Sequence, residues 1–268
     1  MTAHEYDHLV GAITFELSKC DDEIVINNAI KRLNDIHFEL AKSVALNVGV
    51  PAPTKTGRPN HGKKDKFLSQ TAFIPKEPTI ASRRIAILVA DGFDLTQVTA
   101  VRSALSAQGA LTFIVGPRRA HIKSSSTASD SQQSGLGADF SWESGRSTLF
   151  DALYIPGGAQ SALTLRENGR TLHWVREAFH HCKAIAASGE GVDFIQEACQ
   201  LPGIQLAIKQ GDTTPVVSMG VVTVGKFETS HEVTAKLGSG KDFVSLFATE
   251  ISKHRSWERS ALAEKVAA

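Results

Sequence analysis

The sequence predicts an α/β protein, a three-layer sandwich around a mostly parallel sheet, preceded by a short helical segment. Three observations carry this. The runs Ile85–Ala90 and Ala152–Ile155 are continuously apolar and strand-sized, as parallel strands buried on both faces should be. Each runs straight into a turn, Asp91-Gly92 or Pro156-Gly157-Gly158. Segments of helical periodicity lie between the strands, and strands alternating with helices through short turns build a sheet covered on both faces.

Residues 1–50 read as helical. Asp21-Asp22-Glu23 places negative charge ahead of an apolar-periodic run through Ile24, Ala29, Ile30, Leu33, Phe38, Leu40 and Val44, where it suits the helix dipole. Gly49 and Pro51 end the run. Two or three such helices have little core of their own and should dock on another body. Residues 51–82 read as a linker. Pro51, Pro53, Pro59, Pro75 and Pro78 stand among Lys55, Arg58, Lys63, Lys64 and Lys66, and proline with charge removes both helix and core options. A solvated linker is preferred there over a polyanion site.

From residue 83 to the end the strand–helix pattern holds. Ile85–Ala90 is a strand and Asp91-Gly92-Phe93-Asp94 its turn. Asp94 and Gln97 fit a capping box, with Leu95, Val98, Val101 and Leu105 on one helical face and Gly109 as the stop. Leu111–Val115 is the second strand. Residues 116–149 form a Ser-rich excursion, read as a loose hairpin or loop. Ala152–Ile155, a helix around Thr171–His181, and the strand Ala184–Ser188 follow. Val216-Val217 and Val221–Val224 are short strands, and Asp242–Lys253 reads as the last helix.

Composition narrows the function. Of 268 residues, 42% are hydrophobic and 21% charged, with a formal net charge of +1. That balance suits a globular protein and gives no global attraction to nucleic acid or anionic lipid. No apolar run is long enough to span a membrane, and no signal-type segment is read at the start. The compartment stays open. Cys20, Cys182 and Cys199 match no zinc or redox spacing.

Ligands of open α/β sheets bind at the carboxyl ends of strands, so the Gly-rich turns near 91, 157 and 189 should gather on one edge. Phosphate or flavin is disfavoured there, because Asp91 and Asp94 would repel it. Ser188 is the hydroxyl at the strand-to-helix elbow, where α/β enzymes place a nucleophile. It needs a base, and His173, His180, His181, His231 and His254 have no spacing that brings one to it. His180 and His181 sit at a predicted helix C-terminus, where a cation is favourable. Glu190 reads first as a dipole partner of the helix it starts. No cluster has metal-ligand spacing. A weak hydrolase or glyoxalase-like enzyme using Ser188 is one alternative. A small-molecule pocket formed by Asp91, Gly157, Ser188 and Glu190 is another.

Residues 83–253 resemble the PfpI-like (flavodoxin-like) branch of the class I glutamine amidotransferase-like superfamily. The resemblance rests on Arg84–Gly92, on Tyr154-Ile155-Pro156-Gly157-Gly158, and on the elbow Ser188-Gly189-Glu190-Gly191. In that family the elbow carries a cysteine two residues before a glycine. Matching that glycine to Gly191 puts Gly189 in the cysteine's place, and sliding by one puts Ser188 there. A histidine of protease-like members is replaced by Glu190, and a glutamate of redox-active members by Gln97. The resemblance implies a non-catalytic member with a vestigial elbow of Gln97, Asp91, Gly157, Gly158, Ser188, Gly189, Glu190 and Gly191.

A narrower resemblance covers nearly the whole chain. His4–Ile13 with Phe15–Cys20, the proline-rich linker, Ala186–Gly191 and Gly220–Thr223 are similar to the C-terminal region of large-subunit catalases. It implies 1–50 as tail helices, 51–82 as linker and 83–268 as an accessory domain. Haem and peroxide decomposition would belong to an upstream barrel in a homotetramer, since neither Tyr6 nor Tyr154 lies in a ligand motif. The implied partners are that barrel and neighbouring subunits, with unfolded client proteins as a further class. No cofactor, metal, nucleic acid or membrane is expected for these residues.

Overall fold

A computed structural model describes residues 2–59, 62–63, 65–68, 75–125, 134–199, 203–228, 237–263 and 265–266. The chain forms two compact units, residues 1–74 and 75–268.

The first unit is helical. α1 (Ala3–Leu17) starts from Thr2, whose side chain and that of Glu5 close a capping box. α2 (Glu23–Ile36) is capped by Asp22. α3 (Phe38–Val48) ends at Gly49, whose left-handed backbone (φ 78) suits glycine. The apolar run read from the sequence is therefore divided at His37. That residue is extended and caps α3 through its ring, with Nδ1 accepting from the Leu40 N–H at 3.2 Å. Ile30, Leu40, Ala41, Val44 and Ala45 form a small core, tied by Tyr6 Oη to Ser43 Oγ at 3.0 Å. Phe15, Ile24 and Ile36 stay 64%, 70% and 72% exposed, so much of the apolar surface finds no cover within this unit.

The second unit is an α/β sandwich. Its strands are β1 (Arg84–Leu88), β2 (Leu111–Gly116), β3 (His121–Lys123), β4 (Gly135–Gly137), β5 (Phe140–Ser141), β6 (Ala152–Ile155), β7 (Ala184–Ser188), β8 (Val216–Ser218) and β9 (Val221–Val224). The main sheet has the order β5-β2-β1-β6-β7-β9-β8. All its pairings are parallel except that of β8 with β9. Its helices are α4 (Leu95–Ala107), α5 (Ala159–Arg166), α6 (Gly169–His180), α7 (Gly191–Cys199), α8 (Phe243–Ser252) and the short α9 (Ser260–Ala263). Alternate residues of one strand feed opposite faces. Ile85 and Ile87 pack with Val98, Val101, Phe243 and Phe247, from α4 and α8. Ala86 and Leu88 pack with Trp174, Phe179, Phe194 and Ile195, from α6 and α7. Ile80, fully buried, joins the first of these cores.

Three elements depart from the sequence reading. α5 lies where the sequence predicts only a turn. Its N-cap is Gly158, with no capping side chain, and it buries only Ser161, Ala162 and Leu165, so neither a cap nor an apolar stripe announces it. α9 follows the helix that reads as the last. The Ser-rich excursion brings β3 antiparallel to β4 as the ends of a hairpin, then adds β5 beside β2 in the main sheet. Its serines between 126 and 133 lie outside the described residues.

Candidate functional site: the strand-to-helix elbow

The turns after β1, β6 and β7 meet at the carboxyl edge of the sheet. Asp94 N donates to Gly157 O at 2.9 Å, and Gly158 N to Glu190 Oε2 at 2.9 Å. The approach is close enough that side chains are excluded. A Cβ on Gly158 would run into Gly92 O, and one on Gly191 would lie 2.7 Å from Ile155 O. At Gly189, which has a φ of +55, a Cβ would meet only Gly157 Cα at 3.5 Å and Gln97 Nε2 at 3.9 Å. The backbone turns sharply from β7 into α7 at Gly189, with room there for a side chain.

Ser188 precedes that position and is fully buried. Its hydroxyl donates to Gln97 Oε1 at 2.6 Å and lies 2.8 Å from Tyr154 Oη. A hydroxyl has one proton, so Tyr154 donates to Ser188. Burial pushes the Tyr154 phenol well above its usual range, which keeps that proton in place. Gln97 Oε1 also accepts from Gly157 N at 2.9 Å, and Gln97 Nε2 donates to Asp94 Oδ2 at 2.9 Å. Asp94 caps α4 by accepting from Gln97 N at 3.1 Å. The cap forms as read, but the Gln97 side chain turns away from the reciprocal half of the box and bridges the three turns instead.

Asp91 is engaged elsewhere. Arg118 binds it through two bonds of 2.8 and 2.9 Å, and Lys123 N adds a third at 2.9 Å. The Arg118 guanidinium holds the Asp91 carboxyl below the usual range and ties β3 over the first turn. Gly157, Gly158, Ser188 and Glu190 are thus brought together around Gln97, whereas Asp91 serves the hairpin. A cleft beside the end of β9 is lined by Thr213, Pro215, Val224, Lys226, Lys241 and Phe243 among others; Val224 O accepts from Gly189 N at 3.0 Å and Phe243 packs on Tyr154, so the cleft borders the elbow.

Among the described residues, Tyr154 and Gln97 are the hydrogen-bond partners of Ser188. His173 faces Glu177 at 3.9 Å, His180 Nδ1 lies 3.3 Å from Ala263 O, and His254 Nδ1 lies 4.0 Å from Asp151. His231 lies outside the described residues. His181 departs from the cation read at this helix end: burial, then Lys183 and His180, lower its pKa and favour the neutral ring. Cys182 and Cys199 are buried free thiols, and burial pushes Cys199 up to about 12. Among the described residues no three His, Cys, Asp or Glu side chains converge as metal ligands, and no helix is long and apolar enough to cross a membrane. Tyr154 escaped the sequence reading as a site residue. One phenol in an aliphatic buried strand was its signal, since a buried Tyr hydroxyl needs a partner.

Fold and site together define an α/β domain with a mostly parallel seven-stranded sheet, in which the turns after β1, β6 and β7 are fastened by Gln97. Residues 81–261 match the family described as the C-terminal domain found in long catalases, and residues 1–48 match the catalase-related immune-responsive family. The chain belongs to the family of long-catalase C-terminal domains. It is 41% identical over 261 residues to Catalase-1 of Neurospora crassa, covering 97% of this chain and 34% of that protein. It is 44% identical over 266 residues to Catalase A of Aspergillus fumigatus, covering 97% and 35%. The chain therefore spans about a third of the length of these relatives. Among solved structures, a two-domain Anabaena variabilis protein with dj-1/thij/pfpi-like and ferritin-like domains aligns with a TM-score of 0.47 and 24% identity, over 53% of this chain and 43% of that one.

Proposed function

We propose that this chain is a non-catalytic accessory region of a large-subunit haem catalase, which stabilises the subunit and tetramer by contact and holds unfolding proteins. The observation that carries the reading is the closed Tyr154–Ser188–Gln97 network beside an elbow position occupied by Gly189. A serine that is buried and already donating to an amide oxygen is not poised to attack a carbonyl. Peroxide decomposition and haem are assigned to the rest of the parent protein. The tyrosines here do not fit a haem ligand role: Tyr6 is bonded to Ser43, and Tyr154 is fully buried against Ser188.

Exposed Phe15, Ile24 and Ile36 on the helical unit support contact with a barrel or with clients, since apolar surface in such density marks interaction sites. The test is heat-induced aggregation of a labile enzyme with this chain or an equal mass of albumin, with peroxide turnover followed in parallel. Protection beyond albumin without turnover supports the reading. Protection equal to that of albumin removes the client role and leaves the stabilising one. Turnover of peroxide removes both.

A further inference from the structure

We propose that the amino-terminal edge of the sheet, opposite the elbow, holds an oxyanion site that takes a phosphate group, built on Lys183, Arg255, Arg83 and His254. This inference is independent of the accessory role. Lys183 immediately precedes β7, Arg83 precedes β1, and His254 and Arg255 follow α8. Arg83 and His254 face Asp151, which precedes β6, while Lys183 leads into the adjacent strand and Arg255 adjoins His254. Asp151 Oδ1 lies 3.4 Å from Arg83 Nη1 and 4.0 Å from His254 Nδ1, and its Oδ2 accepts from Arg84 N at 2.8 Å.

The positive groups here outnumber their partners. Lys183 is 3% exposed, and among the described residues its ammonium has one hydrogen-bond acceptor, Ser147 O at 2.7 Å. An ammonium carries three donors and a guanidinium five. Arg255 is half-buried and donates to His254 O at 2.9 Å, with no described carboxylate within ion-pair range. The second carboxylate nearby, Glu177, is already bonded to Ser147 Oγ and faces His173. Arg259, fully buried behind Lys183, spends its donors on the carbonyls of Phe179, Met219 and Lys183.

Cations gathered out of water are costly unless an anion joins them, and each here feels the others. Burial and then Arg255 push Lys183 down to about 8. Burial, Arg255 and Arg83 lower His254. Burial, Lys183 and His180 lower His181. A dianion with several acceptor oxygens answers this arrangement. The guanidinium fork and the ammonium match phosphate geometry and charge, whereas a single carboxylate brings half the charge. Arg83 and His254 reach solvent, with 30% and 46% of their side chains exposed, whereas Lys183 is buried.

The test is calorimetric titration of the 268-residue chain with inorganic phosphate, with sulfate (which stays dianionic across the range) and with adenosine monophosphate, at pH 6.5 and 9 and constant ionic strength. One saturable phosphate and sulfate site is expected, with sulfate at least tenfold weaker at pH 9, where Lys183 is neutral. The nucleotide arm separates free phosphate from a phosphate ester as the source. Arg255→Gln should weaken binding at least tenfold. His254→Asn, at an exposed position whose left-handed backbone (φ 65) asparagine tolerates, should weaken it at pH 6.5 even if the arginine variant fails to fold. Absence of saturable binding by phosphate and sulfate at pH 6.5, or binding unchanged in both variants, overturns the proposal.

Discussion

Ser188 Oγ donates to Gln97 Oε1 at 2.6 Å, joining the end of β7 to the first turn of α4 across a sequence separation of 91. The same amide oxygen holds Gly157 N and the amide nitrogen donates to Asp94, so one side chain binds the three turns. This fastening has measurable consequences.

Gln97→Leu leaves the Gly157 N–H and the Ser188 hydroxyl without their acceptor in a closed site. Unsatisfied buried polar groups cost about 1–3 kcal/mol each. A loss of about 2–4 kcal/mol in urea unfolding is expected, and a loss below about 0.5 kcal/mol would show that the network is not fastening the edge.

Gly189→Cys should fold. Its Cβ meets nothing closer than 3.5 Å, and the left-handed backbone costs about 1–2 kcal/mol for a residue with a side chain. The new thiol should not turn over esters, because no described imidazole bonds to this edge. Gly158→Ala, whose Cβ collides with Gly92 O, should lose more than about 3 kcal/mol. Melting curves and an ester assay on the two variants check both statements.

Lys183 sets an alkaline pH dependence. Its folded pKa of about 8 lies below the unfolded value of 10.5. Between those values the unfolded chain binds more protons, so stability rises with pH. Below about 8 the full penalty of the buried charge remains. Lys183→Met should therefore stabilise the chain at pH 7, by on the order of 2 kcal/mol after loss of the Ser147 bond. The gain should shrink as pH rises from 8 to 10.5. Parallel unfolding curves for both proteins across that range give the answer.

His181 and His254 set an acid limb. Burial lowers both below the ordinary value of 6.5. The unfolded chain then takes up protons that the folded one refuses, and stability falls as pH drops below about 6.5. His181→Gln should flatten the fall in Tm between pH 7 and 5. An unchanged slope would move its origin to other groups.

Much of this structure is legible in local sequence. Ile85–Ala90, Ala152–Ile155 and Ala184–Ser188 announce buried parallel strands, and Asp94 announces its cap. Gln97, Gly189 and Glu190 stand out once the resemblance is drawn. What escapes is what needs three dimensions or lacks a strong local signal. α5 begins at a glycine without a capping side chain. His37 breaks a continuous apolar run by capping with its ring. The Tyr154–Ser188 bond joins neighbouring strands. Arg83, Asp151, Lys183 and Arg255 are scattered in the chain, and only the strand order of the sheet gathers them.

The most direct test of the central claim uses a long catalase from which the C-terminal third matched by this chain has been deleted. The chain is added in trans at equal stoichiometry, heat inactivation is timed, and its own peroxide turnover is recorded alone. A longer half-life for the truncated enzyme, with zero turnover by the chain, is the predicted result. Turnover by the chain alone, or an unchanged half-life, would contradict a contact-based accessory role.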